Sequence, residues 1–136
     1  MKICLVVANY YPKFSSNLIL GATKVLKNKG IKNYKILYTT GVFEIPIVIS
    51  KKLKSYNAFI ALGCVIKGKT PHFNFISKAT INAIMNLSIK YKKPIGNGII
   101  TCLNQKQAFE RSDPSKKNKG GETARAVLSV LESFKK

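Results

Sequence analysis

The chain has no tryptophan, a single histidine, three cysteines and only five acidic residues among its 136 positions. Each shortage excludes something. With His72 the sole imidazole and no Cys-x-x-Cys pair, a zinc site has too few ligands. Cys4, Cys64 and Cys102 are odd in number and each sits inside an apolar run, the pattern of structural thiols in a reducing compartment. No apolar run approaches the roughly 18–20 residues that span a bilayer, so no membrane partner is expected. The opening Met1–Ala8 is apolar but short, and it runs into Asn9-Tyr10-Tyr11-Pro12 without a small-residue cleavage site. It reads as a buried strand rather than a signal peptide, which points to the cytoplasm.

Arginine is scarce too. The formal charge is +19, yet among 24 basic residues only Arg111 and Arg125 are arginine. A charge of that size raises the question of nucleic acid. Arginine, however, is the better reader of bases and phosphates. The lysines are spread over almost every polar helix face (Lys24, Lys27 and Lys29; Lys51, Lys52 and Lys54; Lys90, Lys92 and Lys93), with no RNA-binding aromatic signature between them. The excess reads as an enlarged solvated face, and no nucleic-acid partner is expected. A hydrophobic content of 46% excludes a disordered chain. The length suits one domain, residues 1–136, around a single sizeable core.

Apolar runs of strand length alternate with segments of helical period. Ile3–Ala8 is a near-continuous apolar strand. Ser15-Ser16-Asn17 offers a cap for a helix to Lys29, with Leu18, Ile19, Ala22, Val25 and Leu26 inward and Gly30 ending it. Lys35–Thr39 is a second strand, and a short helix starts near Glu44–Pro46. Ala58–Ile66 is a third strand, apolar on both faces. A long helix follows from about Thr70 to Tyr91, its inward residues (Phe73, Ile76, Thr80, Ala83, Ile84, Leu87, Tyr91) stepping by three and four. Pro94 stops it, Ile95–Thr101 is a fourth strand, and Asn104 or Gln105 opens a helix through Arg111. Ser112–Lys119 reads as a loop, and Gly120-Gly121 leads into a last helix with Ala124, Val127, Leu128 and Leu131 inward. Four β-α units with strands buried on both faces imply an α/β fold with a parallel sheet covered on both sides. Ligands then bind beyond the C-terminal strand ends, after Ala8, Thr39, Ile66 and Thr101.

Chemistry-bearing residues fall in those loops. In Lys67-Gly68-Lys69-Thr70-Pro71-His72, Gly68 permits close backbone approach, and Thr70 with the N–H groups of the helix start suits an anion. The sole histidine lies beside it. The segment is not a P-loop, because the Walker spacing is absent, and a capped helix with a surface histidine explains it equally. Glu44, in Gly41-Val42-Phe43-Glu44-Ile45-Pro46, suits a polyol partner or simply complements a helix dipole. Tyr10-Tyr11 put aromatic rings at the same edge, for stacking or packing. Arg111 offers bidentate geometry to phosphate or carboxylate.

Gly41–Pro46 and Ala61-Leu62-Gly63-Cys64-Val65-Ile66-Lys67-Gly68-Lys69-Thr70-Pro71-His72-Phe73, with Gly98-Ile99-Ile100-Thr101, Gln107-Ala108-Phe109-Glu110-Arg111 and Asn118-Lys119-Gly120-Gly121, carry a resemblance. The chain resembles the lumazine synthase family of riboflavin biosynthesis over nearly its whole length. Its Pro94-Ile95-Gly96-Asn97-Gly98-Ile99 looks like the form of alphaproteobacterial members. The resemblance implies a flavodoxin-like, three-layer αβα fold with a four-stranded parallel sheet of order 2-1-3-4. It implies condensation of 5-amino-6-(D-ribitylamino)uracil with 3,4-dihydroxy-2-butanone 4-phosphate to 6,7-dimethyl-8-ribityllumazine, phosphate and water, without cofactor or metal. By the same resemblance, Tyr10 stacks on the pyrimidine, and Val42, Phe43 and Glu44 hold the ribityl chain. Cys64, Val65 and Ile66 edge the heterocycle, Lys69 and Thr70 bind the phosphate, and His72 moves protons. Arg111 binds that phosphate from the neighbouring subunit, with Asn97 and Lys119 entering from the same side.

A shared site implies a homo-oligomer. Members form pentamers, some packed into decamers or icosahedral shells. The first strand begins at Ile3, without the N-terminal extension that pairs with a neighbour in many shell-forming members, and charge repulsion at +19 opposes dense packing, so a free pentamer is favoured. Riboflavin synthase is the implied pathway successor. The chain departs from many members at Asn9-Tyr10 (for Arg-Phe), Thr40 (for Pro), Lys67 (for Arg) and Asn97 (for an aromatic). The last change puts one stacking wall in question. Rival readings are an archaeal-type riboflavin synthase, a flavin-binding paralogue and a basic nucleic-acid module. The last leaves Glu44, His72 and Arg111 unexplained.

Overall fold

Strand β1, Ile3–Ala8, is buried along its whole length, because helices cover both faces of the sheet it centres. A computed structural model describes residues 1–136. After β1 come α1 (Pro12–Asn28), β2 (Tyr34–Thr39), a 3₁₀ turn (Val42–Glu44), α2 (Ile45–Lys52), β3 (Ala58–Ile66), α3 (His72–Tyr91), β4 (Ile95–Cys102), α4 (Gln105–Ser112) and α5 (Lys119–Phe134). The sheet has four parallel strands in the order β2-β1-β3-β4. The expected α/β architecture and strand order are both observed.

Side chains alternate across a strand, and β1 divides accordingly. Ile3, Leu5 and Val7 join Phe14, Leu18, Leu26, Ala108, Ala124 and Val127 beneath α1, α4 and α5. Cys4, Val6 and Ala8 join Val42, Ile45, Ile49 and Ile84 beneath α2 and α3. Each fully buried Leu or Ile in these two layers stabilises the fold by about 1.5–3 kcal/mol relative to exposure. No helix is long and apolar enough to cross a membrane.

Two helix starts and the burial of one residue differ from expectation. Helix α1 starts at Pro12, with Tyr11 as N-cap, rather than at Ser15–Asn17. Proline is pre-set for the first helical position. Ser15 lies inside the first turn, and its hydroxyl donates to Asn9 Oδ1 at 2.8 Å. At the C-terminal end of α3, Tyr91 is exposed rather than inward, in the last turn before Lys92 ends the helix in a left-handed conformation (φ 53°).

Helix α5 begins at Lys119, capped by the Asn118 side chain, which accepts from the Gly121 amide at 3.2 Å. Gly120 and Gly121 therefore belong to its first turn instead of preceding it. A Cβ on Gly120 would sit 2.1 Å from the Leu18 carbonyl oxygen, and one on Gly21 would sit 2.1 Å from Asn118 Oδ1. These glycines let α1 and α5 meet backbone to backbone.

Candidate functional site

The C-terminal ends of β1 and β3, the turn after β2 and the start of α3 enclose a cleft of about 520 Å³. Tyr10, Val42, Phe43, Glu44, Cys64, Val65, Ile66, Thr70 and His72 all line it. Nine of the expected residues, drawn from four chain segments, thus meet in one place. Parallel strands produce this result, since every strand ends on the same edge.

Local chemistry sets each wall. Tyr10 is 70% exposed and stands edge-on to Tyr11, ring centroids 4.9 Å apart. Tyr11 anchors the pair against the core, and burial raises its phenol pKa, with Tyr10 and Cys64 pushing the same way. The Glu44 carboxylate closes its own turn, accepting from the Gly41 amide at 3.0 Å and the Thr40 hydroxyl at 3.3 Å through Oε1. No hydrogen bond engages Oε2, which leaves a charged acceptor at the cleft. Glu44 is thus a carboxylate at a helix start, as the dipole reading expects, and it also lines the cleft.

Across the cleft, His72 is the first residue of α3 and its ring is exposed. Its backbone N–H donates to Thr70 Oγ1 at 3.4 Å, so the threonine hydroxyl sits over the helix N-terminus, where anions are favoured. Lys69 is exposed in the same loop but does not line the cleft. A Cβ on Gly68 would meet nothing within 4 Å. Packing within the chain therefore does not require glycine there, and Gly68 lines the cleft.

Asn97, Arg111 and Lys119 are not in this cleft. They line a second one of about 720 Å³ along the outer side of edge strand β4, between α4 and α5. No residue lines both clefts. Asn97 is exposed, with Oδ1 accepting from the Ile99 amide at 3.2 Å, which ties its side chain to its own strand. Lys119 Nζ pairs with Glu122 Oε1 at 3.2 Å. Arg111 Nη1 donates to the Thr101 carbonyl at 2.7 Å and approaches Cys102 Sγ at 3.9 Å. The Cys102 thiol is held below its ordinary pKa, chiefly by the neighbouring Cys64 thiol and further by Arg111, against the upward push of burial. Cys64 is pushed up in turn, first by Cys102 and then by burial.

Sequence reasoning missed several lining residues. Phe73 and Ile76 enter the first cleft from α3, where their helical spacing marked them only as inward. Thr101, Gln107 and Glu110 line the second; they stand in segments that carry the family resemblance, but no role was attached to them.

The family model for 6,7-dimethyl-8-ribityllumazine synthase matches residues 1–135. The chain is 39% identical to 6,7-dimethyl-8-ribityllumazine synthase 1 of Rhodopseudomonas palustris, over 96% of this chain and 83% of that protein. It is 38% identical to the synthase of Bartonella bacilliformis, over 95% of this chain and 87% of the relative. With the synthase of Agrobacterium fabrum it shares 38% identity, over 98% of this chain and 95% of the other. The chain belongs to the 6,7-dimethyl-8-ribityllumazine synthase family.

Proposed function

We propose that this chain condenses 5-amino-6-(D-ribitylamino)uracil with 3,4-dihydroxy-2-butanone 4-phosphate to 6,7-dimethyl-8-ribityllumazine, releasing phosphate and water. The observation that carries the reading is the first cleft itself. An aromatic wall (Tyr10) and a carboxylate oxygen (Glu44 Oε2) face a helix N-terminus bearing Thr70 and His72.

Each part has a task in the reaction. Tyr10 stacks on the pyrimidine, while Val42, Phe43 and Glu44 hold the ribityl chain. Cys64, Val65 and Ile66 present backbone polar groups to the heterocycle edge. Lys69, Thr70 and the α3 N-terminus hold the phosphate, which is both handle and leaving group, so the donors that bind it also stabilise its departing charge. The amine attacks the ketone carbonyl, phosphate is eliminated, and ring closure expels water. Protons move at each step, and the His72 imidazole, exposed at the start of α3, is the group that carries them. Both reactants are reactive on their own, so holding them in register supplies more of the acceleration than proton transfer does.

The active unit is a homopentamer, and the second cleft completes the first cleft of a neighbouring copy. Arg111, Asn97 and Lys119 line a cleft that shares no residue with their own chain's first cleft, which supports a contribution to a neighbour's. Apolar surface supports an oligomer as well: Phe43 and Ile47 are 57% and 70% exposed beside the first cleft, and α3 exposes Phe75, Met85 and Ile89. Patches of this kind mark protein contacts. The single-domain enzyme works in the cytoplasm, and riboflavin synthase consumes its product.

The test is to mix purified protein with both substrates and follow the fluorescent lumazine. A rate no greater than the uncatalysed background overturns the reading. Sedimentation equilibrium reads the assembly, and a monomer active at assay concentration overturns the shared site.

A further inference from the structure

The second cleft contains an arrangement that the family reading leaves unused. Arg111 makes only two hydrogen bonds, and both leave from Nη1: one to the Thr101 carbonyl at 2.7 Å and one to Cys102 Sγ at 3.9 Å. Nη1 carries two N–H groups, so these two acceptors occupy it completely. The remaining donors, on Nε and Nη2, are left for a ligand. A guanidinium held by one carbonyl alone swings about that single contact. A second acceptor beside the first fixes the plane of the fork, and bidentate recognition of phosphate requires a fixed plane.

We infer that Cys102 is a positioning residue, whose buried sulfur accepts from Arg111 Nη1 and turns the free edge of the guanidinium toward the phosphate of the butanone substrate. This rests on the proposed phosphate role of Arg111. Three features support it. Cys102 is fully buried, so water does not compete for the sulfur. It ends β4 at a fixed register opposite Ile66 of β3, and its carbonyl accepts from Lys67 N at 2.9 Å, so its place is set by the sheet. The neighbouring Cys64 and the charge of Arg111 both hold the Cys102 thiol below its ordinary pKa, the direction that makes a sulfur a better acceptor.

The experiment is steady-state kinetics on Cys102→Val and Cys102→Thr, with Arg111→Ala as the reference. Valine and threonine are nearly equal in volume and both suit a strand, but only threonine offers an acceptor. Cys102→Val should raise KM for the butanone phosphate on the order of five-fold, with kcat and KM for the ribitylaminouracil changing by less than about two-fold. Cys102→Thr should restore most of the loss. Equal behaviour of the two variants overturns the positioning role, as does a Cys102→Val enzyme that matches wild type while Arg111→Ala raises the phosphate KM. Unchanged KM in Arg111→Ala instead overturns the phosphate assignment of Arg111 itself, and the inference falls with it. Should the β-branched pair fail to assemble, Cys102→Ala and Cys102→Ser give the same contrast with smaller side chains.

Discussion

Glu44 Oε1 lies 3.0 Å from the amide nitrogen of Gly41, so the residue best placed to receive a polyol also holds its own turn closed. The two duties separate on Glu44→Gln. A glutamine oxygen still accepts from the Gly41 amide, so the melting temperature should stay within a few degrees of wild type. The charged acceptor toward the ribityl hydroxyls is lost, and hydrogen bonds to charged groups contribute about 1.5–3 kcal/mol against roughly 1 for neutral ones. KM for the ribitylaminouracil should therefore rise on the order of ten-fold. An unchanged KM would leave Glu44 as a cap and nothing more.

Arg111→Lys keeps the charge and removes the fork. Lysine cannot occupy two inward acceptors with one nitrogen while presenting a planar edge outward. Weaker use of the butanone phosphate is the expected result, with the other substrate's KM unaffected. Identical kinetics for both substrates would sink the assignment.

For His72, the exposed ring at the start of α3 predicts a moderate effect. His72→Ala should lower kcat toward the small end of the ~10²–10⁴ range for general acid–base groups, or by less, because positioning does more of the work. Complete loss of turnover, with substrate binding and assembly intact, would reverse that ordering.

Glu44 and His72 were legible as cleft residues because each belongs to a short segment after a strand's C-terminal end, and a parallel sheet gathers such ends; Arg111, carried on α4, is not gathered with them. Strands β1 and β3 were legible for a related reason: buried on both faces, they read as unbroken apolar runs at Ile3–Ala8 and Ala58–Ile66. The start of α1 was misplaced because Ser15-Ser16-Asn17 resembles a cap, while Pro12 carried the true signal. Gly120 and Gly121 look like a lead-in, and only the approach of α1 to α5 shows that they are packing residues. The contact from Arg111 to Thr101 and Cys102 was not legible at all. It depends on α4 folding back over the end of β4, a tertiary relation that no local pattern encodes.

Stability has a similar long-range tie. Lys93 Nζ donates to the Tyr56 carbonyl at 2.8 Å and to the Leu53 carbonyl, at the C-terminal end of α2, where free carbonyls favour a cation. Lys93→Met keeps the aliphatic stem and strands both acceptors. A loss of about 1–3 kcal/mol in chemical denaturation is expected. Wild-type stability would show that water satisfies those carbonyls equally well.

The remaining prediction concerns alkaline pH and Cys4. This residue is fully buried at the centre of the sheet, and burial pushes its thiol up from an ordinary value near 9 to about 11, against the opposing charges of Lys52 and Lys35. Between those values the unfolded chain has released the Cys4 proton while the folded chain still holds it. The native state then binds more protons than the unfolded state, so stability falls as pH rises through this window. Each pH unit between the two values is worth about 1.36 kcal/mol, and the full effect approaches roughly 3 kcal/mol. Cys4→Val fills the same buried position and has no proton to lose. Denaturation curves collected from pH 8 to 11 should therefore decline less steeply for Cys4→Val than for wild type, and the two should differ least at pH 8 in their slope against pH. Parallel declines would mean that the buried thiol does not set the alkaline limit, leaving lysine deprotonation and the two raised tyrosines, Tyr11 and Tyr56, to account for it.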